Sequence, residues 1–271
     1  MNHEPAQAGG DEIVIALAAA REEVGSTLGA VERVAYPARS LSVIIPAYNE
    51  ERRLPGSVER IHRYLLEKRY DAEIIVVDDG SRDRTTQFMH ALQPSLPLLR
   101  VLTHKTNTGK DYAVLAGVRI ARKSSILMTD ADLSTPIEDL ARLWPFYDRG
   151  YSLVVGSRRH RDSRILVPQP LYRRFVGRVF NRLVSLTCVR GLRDTQCGFK
   201  LFDREAILRI LPELRTKGFA FDVEILMRGR DLGFKIAEVG VTWSNSPDTR
   251  MKVLGHGSRM FRQLLQMKGL W

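Results

Sequence analysis

From residue 41 the apolar positions fall into short unbroken runs separated by longer stretches with helical spacing. Leu41 to Ile45, Glu73 to Val77, Leu98 to Leu102, Ser125 to Met128 and Ser152 to Val155 read as strands, the first stopped by Pro46. The runs lack polar alternation, which suits strands buried on both faces. Between them, Ser57 to Lys68, Asp83 to Leu92, Gly109 to Arg122 and Ile137 to Tyr147 read as helices, the third turning Ala113, Gly117 and Ile120 inward. Alternation at this spacing predicts right-handed crossovers and a mostly parallel α/β sheet flanked by helices.

The regularity breaks after Gly156. Residues 157–170 read as a long basic loop, 171–187 as a helix and 189–203 as irregular chain. Arg204 to Leu211 and Phe221 to Asp231 read as helices, Ile236 to Trp243 as one strand, and 258–268 as a basic amphipathic helix. Ahead of the main domain, residues 1–10 read as a disordered start. Ile13, Leu17, Ala20, Val24, Leu28 and Val31 then mark an amphipathic helix over 11–34. The chain thus divides into an extension (1–38), a domain over 39–253 with halves meeting near 156, and a C-terminal helix (254–271). No apolar run reaches the ~20 residues that span a bilayer, and no basic n-region precedes Ile13 to Ala20. Cys188 and Cys197 have no metal-ligand spacing and read as free thiols in a reducing compartment.

Charge adds a direction. Lys and Arg number 42 against 31 Asp and Glu, a net +11 that favours an anionic partner. Nucleic acid is set aside, since no recognition helix, zinc finger or RNA-binding aromatic signature is present. Arg158, Arg159, Arg161 and Arg164 crowd the loop after Gly156. Arg174, Arg178 and Arg182 then form a basic stripe beside Phe175, Val179, Leu183 and Leu186. Phe261, Leu264, Leu265 and Trp271 lie similarly among Arg259, Arg262 and Lys268. Such stripes fit an anionic membrane surface or, alternatively, solvated helices packed on the core.

The acids are placed more tellingly. Ser125 to Met128 runs straight into Asp130-Ala131-Asp132, two carboxylates that repel each other unless a cation sits beside them. They read either as a helix cap ahead of Thr135-Pro136-Ile137 or as ligands of a divalent metal holding a phosphorylated molecule. Glu50 and Asp78/Asp79 also follow strands, and in a parallel sheet such ends share one rim, which favours the metal–phosphate reading and fits a nucleotide. Other signals are weaker. Gly109-Lys110-Asp111 lacks the leading Gly and the Ser/Thr of a P-loop. His104, His160 and His256 have no ligand spacing. Cys197 reads as a buried small residue, and Trp144 and Trp243 as core or pocket wall.

Together, Ile45-Pro46-Ala47-Tyr48-Asn49-Glu50, Val77-Asp78-Asp79-Gly80-Ser81, Asn107-Thr108-Gly109-Lys110 and Asp130-Ala131-Asp132 resemble the motif series of family 2 glycosyltransferases. Gly156-Ser157-Arg158, Asp194-Thr195-Gln196-Cys197-Gly198-Phe199-Lys200 and Phe221-Asp222-Val223-Glu224 narrow the resemblance to the dolichyl-phosphate sugar synthases, most closely their glucosyl branch. The resemblance implies a GT-A type, Rossmann-like sheet with amphipathic helices on the acceptor side. It implies an inverting transfer of a sugar from a nucleotide sugar, UDP-glucose foremost, to a polyprenyl or dolichyl phosphate. Pro46, Tyr48, Glu50, Val77, Asp79, Asp130 and Ala131 would line the nucleotide site. Asp130 and Asp132 would hold the diphosphate through Mg²⁺ or Mn²⁺, with Asp132 foremost. Arg158, with Arg173 or Arg174, would meet the acceptor phosphate, and Arg250 and Lys252 would close over the donor. Ser134 and Ser246 stand where the mannosyl relatives carry Gln and Arg, which disfavours GDP-mannose without excluding it.

An anionic phosphate acceptor needs no general base; a sugar hydroxyl would, and Asp194, Asp222 or Glu224 could supply one. An aspartate-nucleophile phosphatase using Asp130, and a non-catalytic binding module, are the remaining readings. The expected location is the cytoplasmic face of a membrane, held peripherally.

Overall fold

The computed structural model describes residues 39–168, 189, 191–215 and 218–245. The expected helices over 11–34, 171–187 and 258–268 lie outside the described residues, as do Cys188, Arg173, Arg174, Ser246, Arg250, Lys252 and His256.

Seven strands form one sheet: β1 (Ser40–Ala47), β2 (Asp71–Asp78), β3 (Leu99–Thr103), β4 (Ser125–Met128), β5 (Leu153–Ser157), β7 (Lys200–Asp203) and β8 (Ile236–Gly240). Their spatial order is β3-β2-β1-β4-β7-β5-β8, with β7 alone antiparallel to its neighbours. A separate parallel ribbon pairs β6 (Arg164–Val167) with β9 (Thr242–Ser244). The chain moves outward from β1 to β3 and then returns to β4 on the other side of β1. This reversal opens a crevice at the carboxyl ends of β1 and β4, where α/β sheets place their ligands.

The unbroken apolar strands are explained by two covered faces. Val43, Ile45 and Leu127 pack with α1 (Leu54–Glu67) and α4 (Leu140–Tyr147) on one side. Ile44, Ile126 and Met128 pack with α3 (Lys110–Ile120) and α6 (Phe221–Asp231) on the other. Two further helices, α2 (Thr85–Leu92) and α5 (Arg204–Ile210), complete the layers. Helix α3 lies tight on β1 because residue 117 has no side chain. A Cβ there would meet Ile44 Cγ2 at 2.6 Å and Val77 Cγ2 at 3.2 Å.

Four expectations are corrected. Strand β1 runs through Pro46 to Ala47. The carbonyl of Ile44 accepts from Thr129 N, so residue 46 faces the same side, beyond the last β4 pair, where no ladder bond needs its missing N–H. The loop over 157–170 contains β6. The segment 189–203 is not wholly irregular: it ends in β7, hidden from pattern reading by its brevity and by the charged Lys200 that opens it. The single strand expected over 236–243 is two, turned at Val241, whose N–H donates to Ser157 O in one sheet and whose carbonyl accepts from Arg164 N in the other.

Gly117→Val is expected to overpack the α3–β1 contact and cost roughly 1–3 kcal/mol. A thermal melt should show the loss as a lower midpoint; an unchanged midpoint would contradict this packing.

Candidate functional site

The rim at the switch point is built from three loops stapled together. Asn49, at a left-handed φ of 55°, accepts from Arg82 N at 2.7 Å and donates its own N–H to Ser81 Oγ at 2.8 Å. Glu50 N donates to Thr85 Oγ1 at 2.8 Å. Asp78 turns inward, accepting from Ser81 and Thr86, and holds its own loop rather than facing the crevice. Asp79, also buried, accepts from Thr108 N at 3.0 Å and Gly109 N at 2.7 Å, with His104 Nδ1 3.0 Å away. Burial works against its charged form, but the Thr108 and Gly109 donors outweigh that and hold its pKa below the usual carboxylate range.

Asp130 and Asp132 follow β4 directly, and each meets a cation. Lys110 Nζ lies 2.5 Å from Asp130 Oδ1, and both side chains remain some two-fifths exposed, at 42% and 41%, so a ligand can reach them. Partial desolvation opposes the charged form of Asp130, yet Lys110 outweighs it and lowers its pKa; partial desolvation of Lys110 is likewise outweighed by Asp130, which raises it. Arg53, at the foot of α1, clamps Glu50 through two bonds of 2.7 and 2.5 Å and reaches Asp132 Oδ2 at 3.4 Å. The other oxygen of Asp132 accepts from Ser134 N at 3.0 Å, with Leu133 between them at a left-handed φ of 46°. The aspartates therefore cap no helix: the 3₁₀ turn Ile137–Asp139 begins after Pro136 without a side-chain cap. A cleft of about 510 Å³ opens beside this cluster, lined by Asn49, Glu50, Glu51, Arg52, Arg53, Arg82 and Asp83.

The motifs beyond Gly156 meet the same rim. Gly156 N donates to Phe199 O at 2.8 Å, which brings the end of β5 onto the turn before β7. Gly198 in that turn lies against Asp130: a Cβ there would sit 1.9 Å from Asp130 Oδ2, so any side chain would displace the carboxylate from its place. Arg158 grips Asp194 through Nε and Nη2 at 2.6 and 2.7 Å and through its N–H at 2.9 Å. Burial would raise the Asp194 pKa, but Arg158 outweighs it and brings it down to about 2. The guanidinium lies 5.7 Å from the ring centroid of Trp243. Lys200, fully buried, donates to Asp222 Oδ1 at 2.5 Å and to Cys197 O at 2.6 Å. Glu224 accepts from Arg215 N and lies 3.6 Å from Arg228 Nε. Burial pushes the Cys197 thiol up to about 11, which suits a packing residue and not a nucleophile.

The structure thus brings Glu50, Asp130 and Asp132 to one rim and sets Arg158 near them. The side chain of Val77 is core, not rim; Ala131 is buried, and Pro46 and Tyr48 are half-buried. Asp194, Asp222 and Glu224, the candidate bases, are each held by a cation. Sequence reasoning missed Arg53, whose signal is its i+3 spacing from Glu50, and the part played by Lys110. A divalent metal fits the donor set. Among the described residues no group of three or more His, Cys, Asp or Glu converges, but two hard carboxylates at a phosphate site are what Mg²⁺ or Mn²⁺ takes when substrate supplies the remaining oxygens.

Comparison with known proteins gives consistent results. The model of glycosyl transferase family 2 matches residues 42–211. Dolichyl-phosphate beta-glucosyltransferase of Dictyostelium discoideum is 36% identical over 249 residues, covering 85% of this chain and 76% of that protein. The Homo sapiens protein of that name is also 36% identical, over 246 residues, covering 84% and 75%. Among solved structures, glucosyl-3-phosphoglycerate synthase from Mycobacterium tuberculosis, in complex with Mn²⁺ and UDP-glucose, superposes with a TM-score of 0.65. It is 21% identical, and the match covers 86% of this chain and 80% of that one. That likeness shows the GT-A fold.

Because the Asp194 pKa is depressed to about 2, its contribution to stability is complete above about pH 4 and is lost as pH falls toward about 2. Asp194→Asn should cost on the order of 3 kcal/mol at neutral pH by leaving Arg158 without its counter-charge. Urea unfolding should show the gap to the parent protein shrinking as pH falls through that window; a gap independent of pH would contradict the pairing.

Proposed function

The chain belongs to glycosyl transferase family 2, and from that premise we propose that it transfers glucose from UDP-glucose to dolichyl or a related polyprenyl phosphate, with inversion at the anomeric carbon. Membership of a glycosyltransferase family removes the phosphatase and non-catalytic readings. The acceptor rests chiefly on one observation: Asp194, Asp222 and Glu224 are each neutralised by a cation. A sugar hydroxyl must lose a proton to a base as it attacks; a phosphate monoester is already anionic and need only be brought in and aimed. The dolichyl-phosphate glucosyltransferases that resemble the chain support the same acceptor.

In this reading Asp79, Glu50, Tyr48 and Pro46 hold the nucleoside, and the diphosphate lies along the ends of β1 and β4. Asp130 and Asp132 would hold a divalent metal, Mg²⁺ or Mn²⁺, which when bound offsets the charge that develops on the departing nucleoside diphosphate. Lys110 and Arg53 flank those carboxylates and can turn from them to phosphate oxygens. Arg158 meets the acceptor phosphate: its pair with Asp194 uses Nε and Nη2, and Nη1 lies outside that pair. Asp194 fixes the plane of the guanidinium, so the fork is aimed before the acceptor arrives. Arg173 or Arg174 would assist it, and Arg250 and Lys252 would close over the donor. The enzyme would sit peripherally on the cytoplasmic face of a membrane; no helix among the described residues is long and apolar enough to cross one.

The reading is tested by incubating the protein with labelled nucleotide sugars, a polyprenyl phosphate and Mg²⁺ or Mn²⁺, then separating lipid from aqueous products. Label should enter the lipid phase from UDP-glucose; label passing only to soluble glycans would overturn the acceptor. Asp132→Asn should abolish transfer while the melting curve stays cooperative. Arg158→Lys keeps the charge but loses the fork. It should lower kcat/KM for the acceptor by about 10–100-fold, as for a lost charge-assisted bond, with nucleotide affinity by calorimetry unchanged. Equal losses for donor and acceptor would remove Arg158 from the acceptor site.

A further inference from the structure

We propose that the β6–β9 ribbon is a lipid-inserting edge that seats its apolar tip at the headgroup–acyl boundary of a membrane and thereby brings Arg158 to the level of a phosphate carried there. The proposal rests on the reading that the acceptor is a polyprenyl phosphate.

Ile165, Leu166 and Val167 are 42%, 67% and 47% exposed. Successive side chains of a strand point to opposite faces, so this strand buries neither face. Only two other large hydrophobic residues among the described ones are comparably exposed, Leu66 and Tyr112. A groove for a folded partner would offer one apolar face. A narrow edge strand with exposed apolar side chains on both faces, Ile165, Leu166 and Val167, has the shape of a wedge that enters a fluid layer.

The surroundings of the tip carry the matching charge. Arg159, His160, Arg161, Asp162 and Arg164 lie on the chain leading into β6, an excess of cations suited to an anionic headgroup layer. Among the described residues β6 has no strand on its outer side, so the backbone groups of that edge must stay within reach of water; insertion is therefore shallow.

The ribbon is also joined to the reaction centre. Ser244 N donates to Ser134 O at 2.9 Å, tying β9 to the loop that carries Asp132, and Thr242 N donates to Asp139. Trp243, which stands opposite Ile165 across the ribbon, lies under the Arg158 guanidinium. The depth of the tip thus sets the depth of Arg158. The two strands end at Val167 and Ser244, and the sequence beyond each carries the basic, amphipathic patterning already noted from Arg174 and from Arg259. The ribbon is continuous in the chain with both basic, amphipathic segments.

The test labels the ribbon itself. Leu166→Cys, in a Cys188→Ser background, is coupled to an environment-sensitive fluorophore; Cys197 is buried and its thiol pKa is raised, so it does not compete. The full chain is mixed with phosphatidylcholine–phosphatidylserine vesicles containing brominated acyl chains. Emission from position 166 should shift to the blue and be quenched, while the same label at exposed Glu59 on α1 should show neither change. Water-like emission from position 166 would overturn the proposal, whether the protein stays in solution or floats with the vesicles, and would leave the ribbon for a protein partner. In a second arm, Leu166→Asp should lower transfer to a long-chain polyprenyl phosphate in vesicles by about tenfold, the scale of one lost apolar anchor. Transfer to a short-chain isoprenyl phosphate dissolved in buffer should change by less than about twofold. Equal effects on both acceptors would overturn the proposal. If the unsubstituted protein used neither acceptor, the proposed acceptor would fail instead, and the fluorescence result would decide the ribbon.

Discussion

One buried ammonium group ties the site together. Lys200 opens β7, the only strand among the described residues that runs against its neighbours, and the residue is fully buried. An isolated charge there would be untenable, so its two partners are obligatory. Asp222 brings α6 to it, and the Cys197 carbonyl brings the turn before β7. That turn carries Gly198, whose missing side chain lets Asp130 occupy its place on the rim. A structural ion pair thus fixes the position of a donor-site carboxylate without touching it. Such a pair contributes little net stability compared with an apolar substitute of the same volume.

Around it the charges alternate. Glu50 and Asp132 share Arg53, Asp130 has Lys110, and Asp194 has Arg158. The pairs differ in exposure, and this separates their roles. Lys110 and Asp130 are open to solvent and can exchange partners at small cost. Asp194 is fully buried and is held by three bonds from Arg158, a fixed support rather than a group available for proton transfer. The Lys110–Asp130 pair is therefore adaptable and the Arg158–Asp194 pair rigid, which under the proposed function suits a diphosphate that must enter and leave and an incoming phosphate that must be aimed.

Much of this was legible in the sequence, for identifiable reasons. Strand β4 and helix α6 fall where the pattern put them because each is bounded by a sharp change in hydrophobicity. The convergence of Glu50, Asp79, Asp130 and Asp132 follows from strand order alone, since acids past parallel strands share a rim. What pattern reading lost was charge in the wrong place. Lys200 made β7 look like loop, and Asp194, Asp222 and Glu224 looked available because a sequence does not show which cation each acid meets. Arg53 went unnoticed for the same reason: its second partner, Asp132, is 79 residues away. The ribbon was hidden by its setting, four residues of strand inside a basic loop, paired with the tail of what looked like one continuous strand.

These misses bear on the choice of acceptor. Read from sequence alone, Asp194, Asp222 and Glu224 are candidate bases for a hydroxyl nucleophile. Paired, they reverse the argument. A carboxylate held at a pKa near 2 by a guanidinium is a poor proton acceptor at neutral pH, because efficient base catalysis needs a pKa close to the working pH. Asp194 thus holds a cation in place, and under the proposed function that cation suits a nucleophile that arrives already deprotonated. Under the proposed function, acceptor chemistry and site electrostatics then have one cause: the Arg158 guanidinium keeps its charge at the rim, and Asp194 serves to orient it.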